Sequence, residues 1–87
     1  MKIKEGLILR EVAGNYIVVA VGDAVKTFNG VINLNETGAF LWRNLSEGKD
    51  EQGLVDALLG EYEVTEDVAR ADVKKFIDKL TEAGLVK

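Results

Sequence analysis

The sequence predicts an α+β fold in which an N-terminal three-stranded antiparallel sheet is followed by three helices, all within a single domain of residues 1–87. β-branched runs separated by turn signals fill the first third of the chain. Apolar residues at helical spacing, each run preceded by a capping residue, fill the rest. A chain of 87 residues, 47% of them hydrophobic, can form one modest core and is too short for two domains.

A β-hairpin is predicted near the N-terminal end. Residues 7–13 and residues 16–21 are both rich in β-branched side chains, which favour strands. Gly14-Asn15 connects the two runs, and a glycine in the first central position suits a type II′ turn because it accepts a positive φ. These features predict two antiparallel strands joined by a two-residue turn.

The third strand follows a second turn signal. The second run is expected to be interrupted at Gly22-Asp23 and to continue through residues 25–28. Asn29-Gly30, the strongest short-range signal for a type I′ turn, ends it, so the third strand is predicted at residues 31–34. That strand contains neither a charged residue nor a proline that would protect an open edge.

Three helices are predicted from capping residues and helical spacing. Each begins after a residue whose side chain can accept a hydrogen bond from a free backbone amide: Asn35, Asp50 and Thr65. The first helix is expected to end near Leu45 and the third at Gly84. Gly53 and Gly60 in the second helix each cost roughly 1 kcal/mol relative to alanine, so this helix is expected to be the least stable.

The third helix shows three stripes when its residues are placed about 100° apart. An apolar face is expected to pack in the core: Ala69, Val73, Phe76, Ile77 and Leu80. One flank mixes an apolar residue with charges, and consists of Val68, Asp72, Lys75 and Lys79. The other flank carries Arg70, Lys74 and Thr81. The first flank is open to two interpretations, a solvated surface or one wall of a binding groove.

The unprotected third strand also has two interpretations. If its brevity protects it, or if Leu85-Val86 covers it, the strand is purely structural. If it is open, an extended peptide can join the sheet as a further strand, with main-chain hydrogen bonds along the edge and side-chain pockets against a neighbouring helix. An open edge also allows pairing with a second copy of the chain, which would give a homodimer.

Composition argues against several classes of function. The chain has no histidine and no cysteine, so no catalytic site, metal site or cofactor is expected. Residues 35–87 contain seven basic and twelve acidic residues, and this balance repels nucleic acid. No run is apolar enough for a signal peptide or a membrane span. We therefore expect a cytoplasmic protein with no membrane partner.

Three segments resemble the PqqD family, small proteins named for pyrroloquinoline quinone biosynthesis: LREVAGNYIVVAVGD, FNGVINLNETGAFLW and LVDALLGEYEVTEDVARADVKKFIDKLTEAGLV. The resemblance covers nearly the whole chain, and INLNETGAFLW is its most specific part. It implies a winged-helix-like arrangement. It also implies a recognition element for ribosomally synthesised and post-translationally modified peptides (RiPPs). Such an element is a non-catalytic peptide chaperone that binds the leader of a ribosomally made precursor peptide. The partner implied is a modifying enzyme, often a radical S-adenosylmethionine (SAM) enzyme.

The resemblance further implies that the leader peptide lies between the third strand and the third helix. When the family's binding site is carried over to this sequence, one wall of the groove consists of the strand residues Val31, Ile32, Asn33 and Leu34. The candidates for the other wall are Val68, Asp72, Lys75, Phe76 and Lys79.

Two alternative functions stay open at this point. Winged-helix proteins include DNA-binding regulators, although here the third helix has four basic and five acidic residues and the strands precede the helices. A structural module that associates with itself through the open edge is the other alternative. A neighbouring gene for a short precursor peptide would favour peptide presentation, whereas an operator-like palindrome would favour regulation.

Overall fold

The computed structural model describes residues 2–26, 28 and 30–86. Its elements are, in order, β1 (Leu7–Val12), β2 (Asn15–Ala20), a 3₁₀ helix (Gly22–Lys26), β3 (Ile32–Leu34), α1 (Glu36–Ser46), α2 (Glu51–Glu61) and α3 (Glu66–Glu82). The strands form one antiparallel sheet in the order β1-β2-β3. The predicted α+β fold, with three strands before three helices, is confirmed.

One face of the sheet packs against the helices because apolar side chains alternate along each strand. Val18 is fully buried in β2, and its cross-strand partners are Leu9 on β1 and Ile32 on β3. Leu34, the last residue of β3, is buried opposite Tyr16. The register therefore directs one continuous apolar surface toward the helices.

All three helices begin at the predicted caps. The side chains of Asn35, Asp50 and Thr65 each accept a hydrogen bond from the backbone N–H three residues later, at 2.7, 2.8 and 3.3 Å respectively. α3 ends as predicted, because Gly84 has a φ of +73° that cannot continue a right-handed helix.

The core lies between the sheet and the helices. The predicted apolar face of α3 contributes four buried residues: Ala69, Val73, Phe76 and Leu80. α1 and α2 contribute seven more: Ala39, Leu41, Trp42, Leu45, Leu54, Val55 and Leu58. Ile77, predicted for the same face of α3, is half-buried at the margin. Among the helices that the structure describes, none has the length and apolar character needed to cross a membrane.

The turn of the first hairpin differs from the prediction by one residue. Val12 pairs with Asn15, so the turn residues are Ala13 and Gly14, not Gly14-Asn15. Both have positive φ, +52° and +81°, which is typical of a type I′ turn and not of type II′. The twist of a type I′ turn matches that of the paired strands, and this match outweighs the local cost of the left-handed conformation at Ala13.

The prediction of a strand at residues 25–28 is wrong. The chain turns at Gly22, which has a φ of +62°, and Gly22–Lys26 form a 3₁₀ helix. This segment bonds locally, since Phe28 N donates to Ala24 O at 2.9 Å. Asn29 of the predicted second turn lies outside the described residues. β3 begins at Ile32, one residue later than predicted.

Leu85 and Val86 do not cover β3. Val86 pairs with Ile3 in an isolated antiparallel bridge, and Lys4 N donates to Leu85 O at 2.9 Å. Leu85 itself is buried in the core. Within the described sheet β3 is therefore an edge strand paired with β2, and the interpretation in which Leu85-Val86 protects it is wrong.

Replacing Gly60 with alanine is expected to stabilise the fold. Gly60 lies near the end of α2, and a Cβ added there would meet no atom within 4 Å. Alanine restricts the unfolded chain, so urea denaturation of Gly60→Ala should show a free energy of unfolding higher by up to about 1 kcal/mol.

The contrasting control is Gly38→Ala in α1. A Cβ at Gly38 would lie 3.1 Å from Asn35 Oδ1 and 3.3 Å from Leu34 Cβ, so this variant should gain nothing or lose stability. A clear loss of stability in Gly60→Ala would contradict the assignment of Gly60 as an uncrowded helix position.

Candidate functional site

A groove of about 400 Å³ lies between α3 and the junction of β3 with α1. The junction contributes Leu34, Asn35, Thr37, Gly38 and Leu41 to its lining. α3 contributes Asp72, Lys75, Phe76 and Lys79. This groove therefore combines an apolar base with charged side chains.

The junction places the strand edge directly beside the helix. Leu34 is buried at the end of β3, and the next residue, Asn35, already caps α1 by accepting a hydrogen bond from Gly38 N at 2.7 Å. A glycine at position 38 avoids crowding, because a Cβ there would lie 3.1 Å from Asn35 Oδ1 and 3.3 Å from Leu34 Cβ. No loop separates β3 from α1, so the two elements are held in a fixed relation.

α3 forms the opposite wall through residues three and four positions apart. Phe76 is 6% exposed and joins the wall to the core. Asp72 is half-buried, whereas Lys75 and Lys79 are exposed. An occupant of the groove would therefore contact an apolar surface near Phe76 and charged groups at the rim.

The two flanks of α3 differ in how their charges are paired. On the flank away from the groove, Arg70 and Lys74 each contact a carboxylate one turn away on α3, at 2.8 and 3.0 Å. On the groove flank, Lys75 and Lys79 make no ion pair with any residue in the described part of the chain. Two ammonium groups against one carboxylate, Asp72, make the groove locally positive in a chain of net charge −4. Such a groove favours an acidic ligand.

The backbone of β3 is open toward this groove at one residue. Lys79 Nζ donates a hydrogen bond to Asn33 O at 2.8 Å, so this carbonyl faces away from β2. In an antiparallel strand, the N–H and C=O of one residue point to the same side. The N–H of Asn33 therefore also faces outward, while Ile32 and Leu34 direct theirs to β2. Asn33 is the residue of this three-residue strand at which another strand can pair.

The structure brings together part of the predicted site. Five of the predicted residues line the groove: Leu34, Asp72, Lys75, Phe76 and Lys79. Asn33 lies beside it through its contact with Lys79. Val31 precedes β3 and is 57% exposed, Ile32 packs against the core, and Val68 is 46% exposed one turn before Asp72. These last three residues lie outside the groove lining.

Four groove residues were not predicted: Asn35, Thr37, Gly38 and Leu41. All belong to the cap and the first turns of α1, where the sequence indicated only the capping residue Asn35. Gly38 and Leu41 follow Leu34 at intervals of four and three, so they continue the face that begins at the end of the strand. A glycine in the first turn of a helix was the available sign of a close approach.

The fold and the groove define a class of small α+β domains in which an open strand edge lies beside a helix. The family described as coenzyme PQQ synthesis protein D (PqqD) matches residues 8–86, and the chain belongs to this family. The family resemblance found in the sequence is thereby confirmed. Comparison with curated protein sequences gives no significant match.

Two solved structures share this fold. TbiB1 in complex with the TbiA(beta) leader peptide superposes with a TM-score of 0.83, covering 100% of this chain and 95% of its own, at 24% sequence identity. A lasso peptide synthetase B1 complexed with the leader peptide gives a TM-score of 0.78, covering 99% of this chain and 95% of its own, at 20% identity. The shared architecture extends over the whole length of the chain.

Proposed function

We propose that this protein binds the leader segment of a ribosomally made precursor peptide and presents it to a modifying enzyme, without carrying out chemistry itself. The observation that carries the proposal is the outward-facing backbone of Asn33 beside the groove. Membership of the PqqD family supports it, as do two similar structures that are complexes with leader peptides.

The proposed mode of binding is strand addition to β3. An incoming extended peptide would exchange hydrogen bonds with Asn33 and become the fourth strand of the sheet. Alternate side chains of that peptide would point toward the groove. The proposed contact residues are residues 31–34 on the strand side and Val68, Asp72, Lys75, Phe76 and Lys79 on α3.

The typical free energies of the contacts indicate which of them contribute to peptide affinity and which to specificity. A net hydrogen bond contributes about 0.5–1.5 kcal/mol, and β3 offers few of them because it is only three residues long. Full burial of one large apolar side chain contributes about 1.5–3 kcal/mol. An exposed charge pair contributes about 0.2–1 kcal/mol. An apolar anchor against Phe76 and Leu41 should therefore dominate affinity, while Lys75 and Lys79 select for acidic leaders.

The family resemblance supports a proposal for the partner enzyme. We propose a radical SAM enzyme as the partner that receives the bound peptide. The cytoplasm is the proposed location, because a ribosomally made precursor is available there and a chain without cysteine needs no oxidising compartment.

A proline at position 33 is the most direct test of strand addition. Asn33→Pro removes an outward-facing N–H and leaves the hydrogen bonds to β2 in place, so the fold should survive. Calorimetric titration with the leader peptide encoded beside the gene should show affinity lower by about tenfold or more, since a hydrogen bond and the local strand geometry are both lost.

Two controls separate backbone pairing from other effects. Asn33→Ala keeps the N–H and should bind within about twofold of the unmodified protein, because only a solvent-facing side chain is lost. Ile32→Pro removes an N–H that faces β2 and should lower the free energy of unfolding. Unchanged peptide affinity in a folded Asn33→Pro variant would refute strand addition at β3.

Charge reversal on the two flanks of α3 tests the second wall. Lys75→Glu with Lys79→Glu should weaken binding of an acidic leader several-fold, because each exposed contact contributes only about 0.2–1 kcal/mol, and the difference should shrink at high salt. Arg70→Glu with Lys74→Glu changes the net charge equally but alters the opposite flank, so it should have little effect. Equal weakening by the two double variants would show that only the overall charge matters.

A further inference from the structure

We propose that Lys79 is a displaceable lock on the β3 edge, and that its release selects peptides with an acidic side chain next to the residue that pairs with Asn33. This inference rests on the proposed peptide binding at β3 and concerns the state of the edge before the peptide arrives. The edge lock is the hydrogen bond from Lys79 Nζ to Asn33 O, at 2.8 Å.

The edge lock occupies the acceptor that strand addition requires. Asn33 is the residue of β3 whose backbone faces outward, and an incoming peptide N–H would have to bind the same carbonyl oxygen. Lys79 lies 46 residues later in the chain and reaches this oxygen from α3. The ammonium thus takes the place of a strand neighbour in the free protein.

The edge lock also explains how a strand without charge avoids unwanted pairing. Natural edge strands are commonly protected by a lysine within the strand itself. β3 contains no lysine, and the protecting ammonium comes from a neighbouring helix. Protection from a flexible, exposed side chain is reversible, because Lys79 can turn away while β3 stays in place.

Release of Lys79 makes the groove favour peptides that carry a carboxylate. The displaced ammonium lies in the groove and loses its acceptor, and the groove carboxylate Asp72 lies two turns away on α3, roughly 10 Å along the helix axis. A peptide carboxylate beside the pairing residue would give Lys79 a new partner. Lys75, one turn from Lys79 on the same flank, makes no hydrogen bond or ion pair with another side chain or with β3 in the described part of the chain, so it serves as a matched control.

The contact itself can be tested in the free protein. Lys79→Met removes the ammonium and keeps the apolar stem, so the carbonyl ¹³C resonance of Asn33 should move toward the value of a carbonyl without this donor. Lys75→Met should leave that resonance in place. An Asn33 resonance that is the same in Lys79→Met and in the unmodified protein would overturn the edge lock, whether or not any peptide binds.

Selection is tested with two peptides: the leader peptide of the calorimetric titration, and the same peptide with every Asp and Glu changed to Asn and Gln. Lys79→Met should bind the neutralised peptide about two- to tenfold more tightly than the unmodified protein does, because no donor has to be displaced. The affinity of Lys79→Met for the acidic peptide should rise less. Lys75→Met should not bind either peptide more tightly than the unmodified protein does.

The outcomes distinguish this inference from the proposed function. If neither peptide binds the unmodified protein, peptide binding at β3 is refuted, and the carbonyl resonance still decides whether the contact exists. If both bind but Lys79→Met gives no gain with the neutralised peptide, the edge lock is refuted and strand addition stands. If Lys79→Met binds both peptides more tightly by the same factor, the selection of acidic side chains is refuted.

Discussion

The junction between β3 and α1 is the constraint on which the candidate site depends. Leu34 ends the strand in the core, Asn35 caps the helix at the next position, and Gly38 allows the two elements to approach closely. With no loop between strand and helix, the edge of the sheet cannot move independently of α1. α3 packs on the same core through Phe76, so the groove between edge and helix has two walls held by buried side chains.

A strand of three residues can serve as a binding edge because the neighbouring helices add the apolar contacts and the charge that so short a strand does not provide. Main-chain pairing is available chiefly at Asn33, so few hydrogen bonds are offered. The apolar base of the groove adds contact area beside it, and the ammonium groups of Lys75 and Lys79, which make no ion pair with the described residues, add charge selection. Each flank of α3 carries two cations, but only those of the groove flank lack an ion pair with a described carboxylate. In an acidic chain, the proposed preference for an acidic peptide therefore rests on the local charge of the groove and not on the net charge of the protein.

Features determined by neighbouring residues could be predicted from the sequence, and features determined by tertiary contacts could not. The caps at Asn35, Asp50 and Thr65 and the buried face of α3 depend on local hydrogen bonding and spacing, and all were predicted. The hairpin turn shifted to Ala13 because strand twist decided it, and the residues around Val25 left the sheet once Gly22 turned the chain. Five groove residues could be proposed from the helix pattern and the family resemblance, but the part of the groove formed by α1 required the close approach of two elements.

The proposed function requires that a leader peptide bind between β3 and α3. The most direct measurement is a map of backbone amide shifts in ¹⁵N-labelled protein during titration with the unlabelled leader peptide. If the peptide binds there, the largest changes should fall on Asn33, Leu34 and the α3 residues from Asp72 to Lys79. Changes concentrated instead around the cavity of about 390 Å³ lined by Lys4, Leu7 and Leu85, with Asn33 unaffected, would contradict it.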